Sequence, residues 1–338
     1  MIIHHGGDVW RAGRPGDWLD FSANLNPEGP PDWVRAAMAE GLENACYYPD
    51  PREDAALAGL SAFLGLPEDA ILPTAGGVEA AACAAGLSDR HVIAQPAFQE
   101  YGAVCRAHRE IRRSELERFC PQPGETLWLC NPNNPTGDAI PRERLLALLG
   151  RVEAAGGRLV VDEAFIDYCP EHSVRDRVMD HPALVVLGSM TKVLAIPGVR
   201  LGYMAAHPSL IVALRPRMLP WRLNCVAAAV AAALPGHGEE MAAIRRLNDA
   251  RRAAFAASLS SLGARVAPSD ANFLLCDFGR DMRPEARRLA GEGILVRLCG
   301  DFPGLSHGHL RLCVRREAEN ARLTAALCRR GDGSPDTF

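Results

Sequence analysis

A strand–helix alternation between Ile71 and Ala205 limits the possible folds more than any other feature of the chain. Ile71–Thr74, His91–Gln95, Thr126–Cys130, Arg158–Asp162, Leu184–Gly188 and Arg200–Ala205 are short runs rich in apolar and β-branched residues. Helical patterns fill intervals between them: Gly77 to about Gly86, Pro96 to about His108, and Pro141–Ala155. Runs that are apolar throughout, rather than alternating, belong to strands covered on both faces. Strands of that kind separated by helices specify an α/β fold with a mostly parallel central sheet. Ligands of such sheets collect beyond the carboxyl ends of the strands. The residues that follow each strand are therefore the first candidates for chemistry.

The flanks read differently. The first thirty residues carry Gly6, Gly7, Gly13, Gly16 and Gly29 with Pro15, Pro27, Pro30 and Pro31, the texture of an arm that packs against a larger body. Helices are expected from Asp32 to about Leu42 and over Arg52–Leu64. After Asn224 come helical patterns over Val226–Leu234 and Glu239–Leu262. An α+β segment follows, with strands Phe273–Cys276, Ile294–Leu298 and His309–Val314 and helices Arg283–Glu292 and Glu317–Arg329. The expected division is an N-terminal arm with part of a small domain (1–44), a large domain (45–224) and a small C-terminal domain (225–338). Gly331–Phe338 reads as a disordered tail.

A net charge of −4 and a pI near 6.2 exclude the concentrated positive field that nucleic-acid and membrane-surface proteins need. The 11 cysteines are odd in number and scattered, with no Cys-x-x-Cys pair and no zinc spacing. They read as reduced residues of a cytoplasmic protein, and no metal is expected. The N-terminus lacks the basic and apolar regions of a signal peptide, and the longest apolar run, Val226–Leu234, is too short to span a bilayer.

The chemistry concentrates in Gly188-Ser-Met-Thr-Lys-Val-Leu-Ala-Ile-Pro-Gly-Val-Arg-Leu-Gly202. Lys192 follows an apolar run and lies between hydroxyls (Ser189, Thr191) and Arg200, a planar cation suited to phosphate. An amine so placed can form a Schiff base with a carbonyl cofactor whose phosphate its neighbours hold. Pyridoxal 5'-phosphate also needs an anion for its ring nitrogen, a donor for its ring oxygen and a phosphate cradle. Asp162 closes the strand Leu159-Val-Val-Asp162, where a carboxylate demands a cationic partner or a cap role. Asn134 lies in Asn131-Pro-Asn-Asn-Pro-Thr-Gly137, a turn whose amide can donate. Gly77 and Val78 open a helix, where backbone N–H groups and the helix dipole favour an anion. Phe98 either stacks on a ring or packs in the core. Arg297 and Arg311 follow or lie within strands; facing inward they suit a substrate with two anionic groups, and facing outward they are solvated. His4 and His5 form a polar cluster whose alternatives are a phosphate contact and a flexible start.

These strings together resemble the fold-type I pyridoxal-phosphate enzymes of the class I/II aminotransferase superfamily. Asn131-Pro-Asn-Asn-Pro-Thr-Gly137, Val161-Asp-Glu-Ala-Phe165, Ser189-Met-Thr-Lys192 and Gly198-Val-Arg-Leu-Gly-Tyr203 carry the resemblance. Within it the chain is similar to the branch that holds the histidinol-phosphate aminotransferases and the L-threonine-O-3-phosphate decarboxylases of cobalamin synthesis. His5-Gly-Gly, Leu19-Asp-Phe-Ser-Ala-Asn-Leu-Asn-Pro27, Pro220-Trp-Arg-Leu-Asn224 and the segments around Arg297 and Arg311 look like the decarboxylases. So does Phe165, at the position where the aminotransferases usually carry a tyrosine. The resemblance implies that Lys192 holds the cofactor, Asp162 pairs its pyridinium, Asn134 bonds its ring oxygen and Phe98 stacks on it. It implies a phosphate cradle of the Gly77 and Val78 backbone, Ser189 and Arg200, with Tyr48 reaching in from the second subunit of a homodimer. Arg311 would hold a substrate carboxylate, and Arg297 and His5 its phosphate. The departures are Val78, where relatives often have a polar side chain, and Gly188, where they often have arginine.

Overall fold

The computed structural model describes residues 5–11 and 13–329; His4 and the Gly331–Phe338 tail lie outside the described residues. The arm contributes the short strand β1 (Leu19–Asp20), and helices α1 (Asp32–Glu43) and α2 (Asp54–Leu64) follow it. The alternating region then forms β2 (Ile71–Thr74), α3 (Gly77–Ala85), β3 (His91–Gln95), α4 (Glu100–Val104), β4 (His108–Arg112), β5 (Thr126–Cys130), α5 (Arg142–Ala154), β6 (Arg158–Asp162), β7 (Leu184–Ser189), β8 (Gly202–Ala206) and α6 (Pro208–Leu214).

Its strands make one seven-stranded sheet in the order β2-β8-β7-β6-β5-β3-β4. All pairings are parallel except those of β8, which runs against both β7 and β2. Strands β2, β5 and β7 are buried along their whole length, as uninterrupted apolar runs require. Leu127, Leu129, Val161 and Val186 feed an apolar core on one face of the sheet, and Ile93, Trp128, Val160 and Val185 a second core on the other. Period-2 side-chain alternation produces this division.

One segment departs from the sequence expectation. The interval Pro96–His108 does not form one helix: α4 is five residues long, and β4 adds an edge strand beside β3. The sequence of β4 is His-Arg-Glu-Ile-Arg, with alternating exposed and half-buried positions. It carries no apolar periodicity; its strand form comes from backbone pairing with β3, and its charges suit an exposed edge. Phe98 consequently lies in the loop ahead of α4 rather than at a helix start.

Helix α7 (Cys225–Ala232) lies beyond the texture change at Asn224, yet Ala227, Val230 and Ala231 share the core of Val34, Leu57 and Leu60 from α1 and α2. The long helix α8 (Gly238–Ser261) leads to β9 (Arg265–Val266), β10 (Phe273–Asp277), α9 (Arg283–Gly291), β11 (Ile294–Leu295), β12 (Arg297–Leu298), β13 (His309–Cys313) and α10 (Glu317–Cys328). The run Ile294–Leu298, expected as one strand, divides at Val296. Strand β11 pairs in parallel with β1 of the arm, whereas β12 joins an antiparallel sheet of order β12-β13-β10-β9. Leu19 and Phe21 of the arm enter the same core as Phe255, Leu274 and Leu310. Full burial of Phe21 contributes about 1.5–3 kcal/mol toward holding the arm there.

Candidate active site

The direction of each strand sets the site. The carboxyl ends of β2, β3, β5, β6 and β7 lie on one edge of the sheet and deliver Gly77, Phe98, Asn134, Asp162 and Lys192 in turn. Strand β8 runs the other way, so its start lies on that same edge and brings Arg200 to it. A cavity of about 400 Å³ opens there, lined by these residues with Val78, Ser189 and Thr191. The arm and the C-terminal sheet close the opposite wall with His5, Ser22, Arg297 and Arg311. Of the described residues expected to hold cofactor or substrate, Tyr48 is absent from the lining. It is 81% exposed on the outer surface, its ring 4.8 Å from that of Trp221.

The Lys192 amine has no hydrogen-bond partner among the described residues; the Phe165 ring lies 5.9 Å from it. Burial, and then the cations Arg311 and Arg200, push its pKa from 10.5 down to about 8. Asp162 is buried without a bonded cation. Its Oδ1 accepts the Ala164 N–H at 2.9 Å, and its Oδ2 accepts the Tyr101 hydroxyl at 2.5 Å. Desolvation raises its pKa, partly opposed by those two bonds and by the charge of Lys192. A carboxylate so placed asks for a cationic ligand.

Nearby, Gly76 has φ +89°, and a Cβ there would fall 2.4 Å from Arg200 Nη2. Only glycine lets the guanidinium lie against the backbone at the start of α3. No side chain caps that helix, leaving its first N–H groups to the cavity. The Ser189 and Thr191 hydroxyls, 2.8 Å apart, complete a neutral and cationic rim. Gly188 has a structural explanation as well: a Cβ there would fall 2.1 Å from the Tyr203 ring, which occupies the space.

The other wall holds two buried arginines. Both Arg297 and Arg311 are only 7% exposed, and both face the cavity rather than solvent. Arg311 donates from Nη1 to Asn134 Oδ1 and from Nη2 to the Ser22 carbonyl at 2.8 Å, while its Nε finds no partner. No carboxylate among the described residues bonds to it. Burial holds its pKa down at about 10. His5 pairs with Glu100 at 2.6 Å and lies 5.9 Å from the Phe98 ring.

These features fit pyridoxal 5'-phosphate: a free amine, an acid without a cation, an uncapped helix start beside an arginine, and an aromatic wall. Tyr101 escaped the sequence reading. The hydroxyl at i+3 from Phe98 was the available signal, but the misread helix gave no reason to aim it at Asp162.

The chain matches the family described as Aminotransferase class I and II over residues 16–327. It is 36% identical over 348 residues to the threonine-phosphate decarboxylase of Salmonella typhimurium, covering 96% of this chain and 95% of the relative. It is 31% identical over 337 residues to the histidinol-phosphate aminotransferase of Symbiobacterium thermophilum, covering 95% and 92%. Its fold matches that of histidinol-phosphate aminotransferase from Sinorhizobium meliloti in complex with pyridoxal 5'-phosphate, with a TM-score of 0.81, 21% identity, and 90% and 88% of the two chains covered. No helix among the described residues is long and apolar enough to cross a membrane.

Proposed function

The chain belongs to the class I and II aminotransferase family of pyridoxal 5'-phosphate enzymes, and from that premise we propose that it decarboxylates L-threonine O-3-phosphate. The product is (R)-1-amino-2-propanol O-2-phosphate, an intermediate of cobalamin biosynthesis, and CO2 leaves. The observation that carries this reading is the pair of buried arginines facing one cavity with Lys192, one of them without a counter-ion. A substrate with a carboxylate and a phosphate matches that pair. The 36% identity to a threonine-phosphate decarboxylase supports it, as does the apolar Phe165 ring beside the lysine.

Lys192 would anchor the cofactor through its aldehyde, Asp162 would pair the ring nitrogen, Asn134 would bond the ring oxygen and Phe98 would flank the ring. The Gly77 and Val78 amides, Ser189 and Arg200 would hold the phosphate. Tyr48, exposed on one subunit, would reach that phosphate across a homodimer. When bound, the cofactor supplies an electron-accepting ring conjugated to the substrate's amine. Tyr101 holds Asp162 in place, which would preorganise its charge for the ring nitrogen of the bound cofactor. Arg311 would grip the substrate carboxylate, and Arg297 with His5 would hold the phosphate, fixing which bond at Cα faces the ring. The buried Lys192 amine would return a proton to Cα once CO2 has left. The cytoplasm is the expected location.

The second reading is histidinol-phosphate aminotransferase, favoured by the 31% identity to such an enzyme. Incubation with L-threonine O-3-phosphate and no keto acid separates the two. Release of CO2 is the expected result. Turnover that requires 2-oxoglutarate and releases none would overturn the decarboxylase reading.

A further inference from the structure

The two arginines are direct partners in the register of β12 and β13, so their side chains leave the same face of the sheet one strand apart. They differ in what neutralises them. Arg311 has no carboxylate; its contacts are the Asn134 amide oxygen, the Ser22 carbonyl and the face of Phe273. Arg297 is already closed by Asp301 in a two-point pair, Nη1 to Oδ1 at 3.0 Å and Nη2 to Oδ2 at 2.7 Å. Gln99 Nε2 donates to the same Oδ2 at 2.9 Å. Arg297 forms a partition: it borders the inner cavity with Lys192 and also an outer cavity of about 340 Å³. Asp301 lines the outer one, with a side chain 39% exposed.

On the reading that Arg297 meets the distal anion, we propose that Asp301 is the specificity-determining residue of that subsite: an exchangeable counter-ion that a phosphate displaces and a carboxylate does not. An incoming distal carboxylate offers Arg297 the same two-point geometry that Asp301 already provides, and meets like-charge repulsion as it arrives. It gains nothing by the exchange. A phosphate monoester brings a charge near −2 and three acceptor oxygens, so it has the stronger claim on the guanidinium. The displaced carboxylate is not stranded, because its side chain already borders the open outer cavity, which Arg11 and His307 also line. Arg311, without any internal competitor, accepts a plain carboxylate. The wall therefore distinguishes its two anions by what already occupies each arginine.

The test is calorimetric titration of the holoenzyme with 3-phosphonopropionate, succinate and butyrate. Each carries one carboxylate for Arg311, and none has an amine to react at the cofactor. Wild-type enzyme is expected to bind 3-phosphonopropionate well and succinate no better than butyrate. Asp301→Asn is expected to tighten succinate about tenfold, 3-phosphonopropionate by less, and to leave butyrate within about twofold. Gln99→Ala, which loosens the anchor of the carboxylate, should move succinate in the same direction by a smaller factor. Weaker 3-phosphonopropionate binding in Asp301→Asn would overturn the proposal and make Asp301 a mere support for Arg297. Unchanged succinate binding, or wild-type enzyme that takes succinate as tightly as the phosphonate, would overturn it too. None of these ligands turns over, so the outcome is independent of whether the enzyme decarboxylates or transaminates.

Discussion

The wall that carries Lys192 is a row of loops following consecutive strands of one sheet, whereas the wall that carries Arg311 depends on the register between β12 and β13 and on an arm from the far end of the chain. In the first, each residue is delivered by its own strand, and an error in one loop leaves the others in place. In the second, a one-residue slip of β12 against β13 would turn Arg297 to the face opposite Arg311 and break the pair. The electrostatics differ in the same way. The Lys192 wall contains both signs, the amine and Asp162, each lacking a bonded counter-ion. The Arg311 wall holds two buried guanidinium groups, of which Arg297 is paired with the chain's own Asp301 and Arg311 is not paired with a carboxylate among the described residues. One wall is prepared for a ligand that is part cation and part anion; the other is prepared for anions alone.

Substitutions can break this contrast. The largest effect is expected at Lys192→Ala, which should lower turnover by about 10³-fold or more and abolish the visible absorption of the bound cofactor, read by stopped assays and spectrophotometry. A variant that keeps the absorption band would place the covalent link elsewhere. On the other wall, Arg311→Leu should raise KM about 30-fold, equivalent to about 2 kcal/mol, with the cofactor band retained. Loss of the band in that variant would mean that the two walls are not separable. Tyr101→Phe should lower kcat about tenfold with KM little changed, because one hydrogen bond to a charged group is lost while the substrate wall is untouched. A change confined to KM would deny Tyr101 its link to Asp162.

The smallest effect is a shift in pH dependence. Burial and two nearby cations hold the Lys192 pKa down at about 8, so the amine is charged below that value and neutral, hence nucleophilic, above it. Uptake of pyridoxal 5'-phosphate by the apoprotein should therefore quicken as pH rises through about 8, not through 10.5. Arg311→Leu removes one of those cations and should move the midpoint upward. A midpoint that stays put would show that the walls do not sense each other through this lysine.

Much of the Lys192 wall was legible in advance. Lys192, Asp162, Asn134 and Gly77 each stand at the end of an apolar run or in the turn after it, and strand ends in an open sheet converge on one edge. Arg200 was legible only as a neighbour of Lys192; its position on that edge depends on the reversed direction of β8. Edge strand β4 was not legible, because five polar-rich residues become a strand only when β3 offers its backbone. Tyr101 was missed with it. Asp301 was missed for another reason: four residues past Arg297, it pairs with that arginine only because the chain turns sharply after β12.

Composition, apolar runs and turn residues by themselves determined an α/β sheet, the order of its functional loops and the kind of chemistry they carry, because those properties are local to each segment. Tertiary structure alone decided which way Arg297 and Arg311 face, that the arm pairs with β11, that Tyr101 bonds Asp162 and that Asp301 occupies Arg297. Each of these is a contact between segments remote in sequence, a choice of face or, for Asp301, the course of a turn after β12. Strand register and the burial of charge settle such matters only once the chain has closed on itself.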